Sequence, residues 1–188
     1  FNTSGFLNTA VGADALRNND TGRENTAVGD GALFSAKGNN NIGVGRDAGG
    51  SLSPLTVISQ SDRIVMGNDD HTDAYIKVSW TVTSDARDKT DFAPVPHGLS
   101  FISALEPTEY QFRAGGRDSA QGDGKRRYGF LAQDVLALEG QDPVITDNED
   151  PEKLKLKESQ LVPVLVNAVK ELSAKVENLQ LKLKNMGE

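Results

Sequence analysis

The sequence predicts a mixed fold: a stack of short β-strands built from Gly/Asn-rich repeats, then an α+β region ending in a long coiled-coil helix. Three observations predict it. A nine-residue pattern recurs near the N-terminus, apolar alternation marks short strands after it, and an unbroken heptad runs through the last segment. Composition divides the chain at residues 1–52, 53–80 and 81–188.

The first region repeats Asn8-Thr9-Ala10-Val11-Gly12-Ala13-Asp14-Ala15-Leu16 as Asn25-Thr26-Ala27-Val28-Gly29-Asp30-Gly31-Ala32-Leu33. A degraded copy follows as Asn41-Ile42-Gly43-Val44-Gly45-Arg46-Asp47-Ala48-Gly49, so the period is 17 and then 16 residues. That length suits one short strand, a tight turn and a return segment per unit. Each unit holds too few apolar residues to bury a core alone, and glycines at fixed offsets point to positive φ or close backbone approach. A flexible linker would not keep this pattern in register.

In the second region, Arg63-Ile64-Val65-Met66-Gly67 and Ala74-Tyr75-Ile76-Lys77-Val78-Ser79-Trp80 read as strands. The second alternates, with Tyr75, Lys77 and Ser79 opposite Ala74, Ile76, Val78 and Trp80. The Asn68–Asp73 segment between them is turn-forming. Its Asp/His content lacks the spacing of a calcium loop and a second nearby histidine, so no metal site is expected.

The third region has less glycine and more leucine. Pro94-Val95-Pro96 is an extended connector, and 99–105 reads as a short amphipathic helix stopped before Pro107. Strands are predicted over 109–113 and 127–131, with a loop over 114–125 between them. A helix follows near 132–138, then an acidic loop over 142–153. Ser159 is the expected N-cap of the last helix, with Pro163 in its first turn. From there Val162, Val169, Val176 and Leu183 fall at a, and Leu165, Leu172, Leu179 and Met186 at d. A seam sustained this long predicts a coiled coil over about residues 159–186. Val at a with Leu at d favours parallel dimers in isolated coiled coils, so a trimer must be imposed by the rest of the chain.

Bulk properties bound the function. Net charge is −7 and pI near 4.9, and the one basic run, Lys125-Arg126-Arg127, is short; a nucleic-acid partner is not expected. Hydrophobic content of 37% and aromatic content of 6% suit a chain that completes its core with copies of itself. There is no cysteine, which excludes disulfides and thiolate chemistry. No apolar run is long enough to span a bilayer, and the N-terminus does not read as a signal peptide. The chain starts inside a repeat, as expected of a piece of something longer.

The chemistry-bearing stretch is Ser84-Asp85-Ala86-Arg87-Asp88-Lys89. It places a hydroxyl nucleophile five residues before a lysine. Serine needs a base and oxyanion stabilisation, and lysine serves as base only when neutral, through burial or a nearby positive charge. Arg87 is a candidate for that charge, opposed by Asp85 and Asp88. From spacing alone a capped turn explains the same residues.

The repeats resemble the Asn-Thr-Ala-Val-Gly motifs of phage fibre shafts and trimeric adhesin heads. That resemblance implies a β-roll or β-helical stack with three chains side by side. Ser84, Asp85, Arg87 and Lys89, then Gly129, Phe130, Ala132 and Gln133, then Leu161, Pro163 and Leu165, resemble the S74 peptidase family over about residues 81–184. These are C-terminal intramolecular chaperones of phage tail fibres and spikes. Asp91-Phe92 stands where the family often has Asn-Ile.

The resemblance implies an obligate homotrimer that aligns three chains and then cuts itself near Ser84-Asp85. Ser84 would be the nucleophile, Lys89 the base, and Gln133 a supporting donor, with Asp85 and Arg87 completing the site. No cofactor, nucleic acid or membrane is implied. The partners are the chain's own copies and, through the parent fibre, a host receptor; the location is the virion, after assembly in host cytoplasm. Attack by Ser84 on the Thr83 carbonyl passes through a five-membered ring, whereas attack on its own carbonyl needs a strained four-membered one. Cleavage after Ser84 therefore calls for another group or a neighbouring chain. A non-cleaving adhesin tip and a sugar-binding receptor tip are the alternatives; a single tryptophan, Trp80, weakens the latter.

Overall fold

The computed structural model describes residues 3–114 and 119–186. The chain forms two compact units, residues 1–78 with 113–122 and residues 79–112 with 123–188.

In the first unit each repeat contributes one three-residue strand. Strands β1 (Thr9–Val11), β2 (Thr26–Val28), β3 (Ile42–Val44) and β4 (Ile64–Met66) lie in that order in one parallel sheet. Thr9, Thr26, Ile42 and Ile64 are in register, as are Val11, Val28, Val44 and Met66. The sheet therefore extends past residue 52 and takes 64–66 as a fourth rung.

The repeated asparagine explains the register. The Asn8 Oδ1 accepts from the Asn25 backbone N–H at 2.9 Å, the Asn25 Oδ1 from Asn41 at 2.9 Å, and the Asn41 Oδ1 from Arg63 at 3.1 Å. Their amide Nδ2 groups donate to the carbonyls of Gly22, Gly38 and Gln60. Asn25 and Asn41 are fully buried, so these bonds satisfy groups that water cannot reach.

The glycine after each valine is required by contact. At Gly29, with φ of 133°, a Cβ would stand 2.6 Å from the backbone C and O of Gly45. Inside the stack, Ala27, Val65, Leu33, Ala48 and Val57 form the core. The opposite sheet face, with Val11, Val28, Val44, Ile64 and Met66, is open to solvent.

No strand forms over 74–80, contrary to the alternation there. Residues 71–85 carry no regular structure and every residue from Asp69 to Pro96 is exposed. A strand needs a hydrogen-bonding partner, and within its own chain this segment has none among the described residues.

The second unit begins with α1 (Leu99–Ala104), followed by the antiparallel pair β5 (Thr108–Tyr110) and β6 (Arg127–Gly129). Both strands are shorter than their alternation predicted. Of the loop expected over 114–125, residues 115–118 lie outside the described residues. Then come α2 (Ala132–Glu139), a small hairpin of β7 (Thr146–Asp147) and β8 (Lys155–Leu156), and α3 (Leu161–Met186). The acidic segment 142–153 is thus not all loop. Ser159 is not the N-cap: it lies inside a 3-10 turn, Glu158–Gln160, that leads into α3.

Phe101, Val135, Ile145, Leu161 and Val164 form this unit's core. The face α3 buries carries Leu161, Val164 and Ala168. Its a/d seam lies elsewhere: all eight seam residues, Val162 to Met186, are exposed. Among the described residues no helix is long and apolar enough to cross a membrane.

Candidate functional site

The site is built by one turn. Asp85 caps a 3-10 turn, Ala86–Asp88: its Oδ1 accepts from the Arg87 backbone N–H at 2.9 Å. The Arg87 guanidinium returns to the same carboxylate, Nε donating at 3.1 Å and an Nη at 2.6 Å to Oδ2. Backbone bonds from Asp88 N–H to the Asp85 carbonyl and from Lys89 N–H to the Ala86 carbonyl close the turn. The chain reverses, and Lys89 Nζ donates to Ser84 Oγ at 2.7 Å.

The electrostatics follow from this fork. The Arg87 side chain, then its backbone N–H, hold the Asp85 carboxyl below its ordinary value, and Asp85 raises Arg87 in return. Arg87 is thereby committed to Asp85. Its charge is neutralised locally, so it acts on the turn's shape more directly than on the lysine.

The turn brings together four of the five residues singled out by sequence: Ser84, Asp85, Arg87 and Lys89. Gln133 is exposed in the first turn of α2, and among the described residues no hydrogen bond joins it to Ser84 or Lys89. A lysine that serves as base must instead accept the hydroxyl proton, which needs surroundings poor in water. In the single chain both residues are exposed.

Other polar clusters are occupied structurally. In the 68–73 turn, Asn68 Oδ1 accepts from the Asp70 N–H at 3.2 Å, and the Asn68 N–H donates to His71 Nδ1 at 3.2 Å. Among the described residues no group of three or more His, Cys, Asp or Glu side chains is placed to hold a metal. The basic run is paired within its chain, Arg127 with Asp123 at 2.9 Å and Arg126 with Glu109 at 3.5 Å. One organising residue gave no sequence signal. Glu139, at the end of α2, accepts the backbone N–H groups of Val144, Ile145 and Thr146 at 2.6–2.7 Å and shapes the loop that carries Ile145 into the core.

No curated protein and no solved structure matches the chain. A protein-family model does, over residues 84–143, and its first matched residue is Ser84. The match runs through the Ser84–Lys89 turn, the β5–β6 pair and α2. That model is of the Peptidase_S74 family, described as chaperone of endosialidase, and it is this segment of the chain that is similar to it.

Proposed function

We propose that this chain is the C-terminal part of a phage tail fibre or spike, in which the region from Ser84 onward is a self-removing assembly chaperone. Three copies associate, the chaperone regions set the register of the β-stacks, and each chain is then cut once at Ser84. The observation that carries this reading is the 2.7 Å contact between Lys89 Nζ and Ser84 Oγ, at the first residue of the family segment. The open a/d seam of α3 and the exposed apolar face of the sheet support association, since both are surfaces that further copies would cover.

The chemistry balances without a cofactor. Neutral Lys89 takes the Ser84 hydroxyl proton as Oγ attacks the Thr83 carbonyl carbon. The Thr83–Ser84 C–N bond breaks, the Ser84 nitrogen takes the proton from Lys89, and an ester joins Thr83 to Ser84 Oγ. Water hydrolyses the ester, leaving a Thr83 carboxylate and a free Ser84 amine. A cut at Ser84–Asp85 would instead need another group or a neighbouring copy to supply the nucleophile. Asp85 and Arg87 are positioning residues in either case, holding the turn in which Lys89 meets Ser84.

Intact mass under denaturing conditions tests the reading, beside Ser84→Ala and Lys89→Ala chains. Two fragments meeting at Ser84, absent from both variants, are expected, and their masses identify the bond. Persistent cleavage in either variant would remove the dyad. An uncut wild-type chain would favour a permanent structural cap on a fibre tip.

A further inference from the structure

The segment before the turn carries a pattern that the single chain leaves unused. From Ala74 to Thr83, the even positions are Ala74, Ile76, Val78, Trp80 and Val82, all apolar. The odd positions are Tyr75, Lys77, Ser79, Thr81 and Thr83, all bearing a polar group. β-Branched and aromatic residues dominate both sets, the composition of a half-buried strand. Yet Ile76, Val78, Trp80 and Val82 are exposed, Trp80 at 74% and Val82 at 80%. The chain bends at Lys77–Val78, and among the described residues no hydrogen bond involves 74–83.

The same chain carries another unpaired apolar surface, the α3 seam, whose heptad is suited to identical helices. Further copies of this chain are the occupant that both surfaces fit.

We infer that residues 74–83 form a β-strand between copies of the chain on assembly, with Ile76, Val78, Trp80 and Val82 turned into the interface. Ser84 occupies the next even position. Forming the strand therefore turns Ser84 toward the same covered face and draws Lys89, already bonded to it, out of water. Surroundings poor in water favour the neutral amine, the form in which a lysine can act as base. Assembly and cleavage are coupled through the phase of one strand. This rests on the reading that the chain works as an assembly of copies that cuts itself at Ser84.

Trp80 is the only tryptophan, so its fluorescence reports the strand directly. The measurement uses the Ser84→Ala chain, which stays intact, with sedimentation giving the oligomeric state across a concentration series. The expected result is an oligomer whose tryptophan emission shifts to the blue and whose quenching by acrylamide falls several-fold. A Val78→Lys, Val82→Lys pair should abolish that shift and, with Ser84 restored, slow cleavage at least tenfold. A Lys77→Glu, Thr81→Glu pair on the other face should do neither. An oligomer in which Trp80 stays fully quenchable overturns the strand and leaves the assembly reading standing. A chain that remains monomeric at every concentration overturns both. Trp80 burial with cleavage unchanged in the lysine pair overturns the coupling to Ser84.

Discussion

Replacing Asn25 by alanine tests the origin of the repeat. Asn25 is fully buried, and its side chain makes three bonds: it accepts from the Asn41 N–H and from Asn41 Nδ2, and donates to the Gly38 carbonyl at 2.9 Å. Asn41 Nδ2 keeps the Gln60 carbonyl as partner. Alanine thus orphans one buried N–H and one buried C=O. At about 1–3 kcal/mol for each unsatisfied group, the loss is about 2–6 kcal/mol, a large part of the 5–15 kcal/mol typical of a domain. Asn8 is only half-buried at the end rung, so its removal lets water approach the part-buried Asn25 N–H and Gly22 carbonyl it leaves, and a smaller loss of about 1–2 kcal/mol is expected. Calorimetric melting of both variants in the Ser84→Ala background, with no cleavage products present, measures the difference. Equal losses for Asn25→Ala and Asn8→Ala would refute the argument that buried amide bonding between rungs sets the register.

Four further outcomes are expected. Gly29→Ala forces a Cβ to 2.6 Å from the Gly45 backbone at a φ of 133°, and should cost about 3 kcal/mol or more in the same melts. Gly124→Ala, at a φ of 77° with nothing within 4 Å, should cost only about 1 kcal/mol. Burial raises the Glu139 carboxyl, but the N–H groups of Ile145, Thr146 and Val144 outweigh it and leave it below its ordinary value of 4.5. Its contribution is then present above about pH 4.5 and lost as pH falls through the lower folded value. Glu139→Gln should flatten that acid limb in pH-dependent unfolding, and an unchanged limb would assign it to other carboxylates. Finally, Ser84 and Lys89 meet within one chain, so co-assembled Ser84→Ala and Lys89→Ala chains should not restore cleavage; restoration, read by mass, would place the dyad between chains.

Much of this was legible in the sequence, for identifiable reasons. The repeat was visible because one asparagine and one glycine per rung are held by contacts that tolerate no substitute. The role of 64–66 as a fourth rung was hidden. Asn41 meets a backbone N–H of Arg63 there, so the signature asparagine is absent, and the rungs are paired 22 residues apart, Ile42 with Ile64. The heptad gave the extent of α3 to within two residues, but not which face the chain would bury. Its own unit takes Leu161, Val164 and Ala168 and leaves the seam free. The strand at 74–80 failed because alternation records a surface to be covered, while a strand also needs hydrogen-bonding partners. At the site, the spacing from Ser84 to Lys89 was legible; the contact was not, since it depends on the Asp85–Arg87 fork. Glu139 left no trace because a carboxylate bonding backbone N–H groups has no sequence pattern.

If Ser84 becomes a nucleophile only when copies assemble, the order of the cleavage reaction reveals it most directly. Chains held unfolded in denaturant and diluted into buffer at a series of concentrations give initial cleavage rates by intact mass. The expected rate per chain rises with concentration until association is complete and then levels. A rate per chain independent of concentration, at dilutions where sedimentation shows monomer, would contradict it.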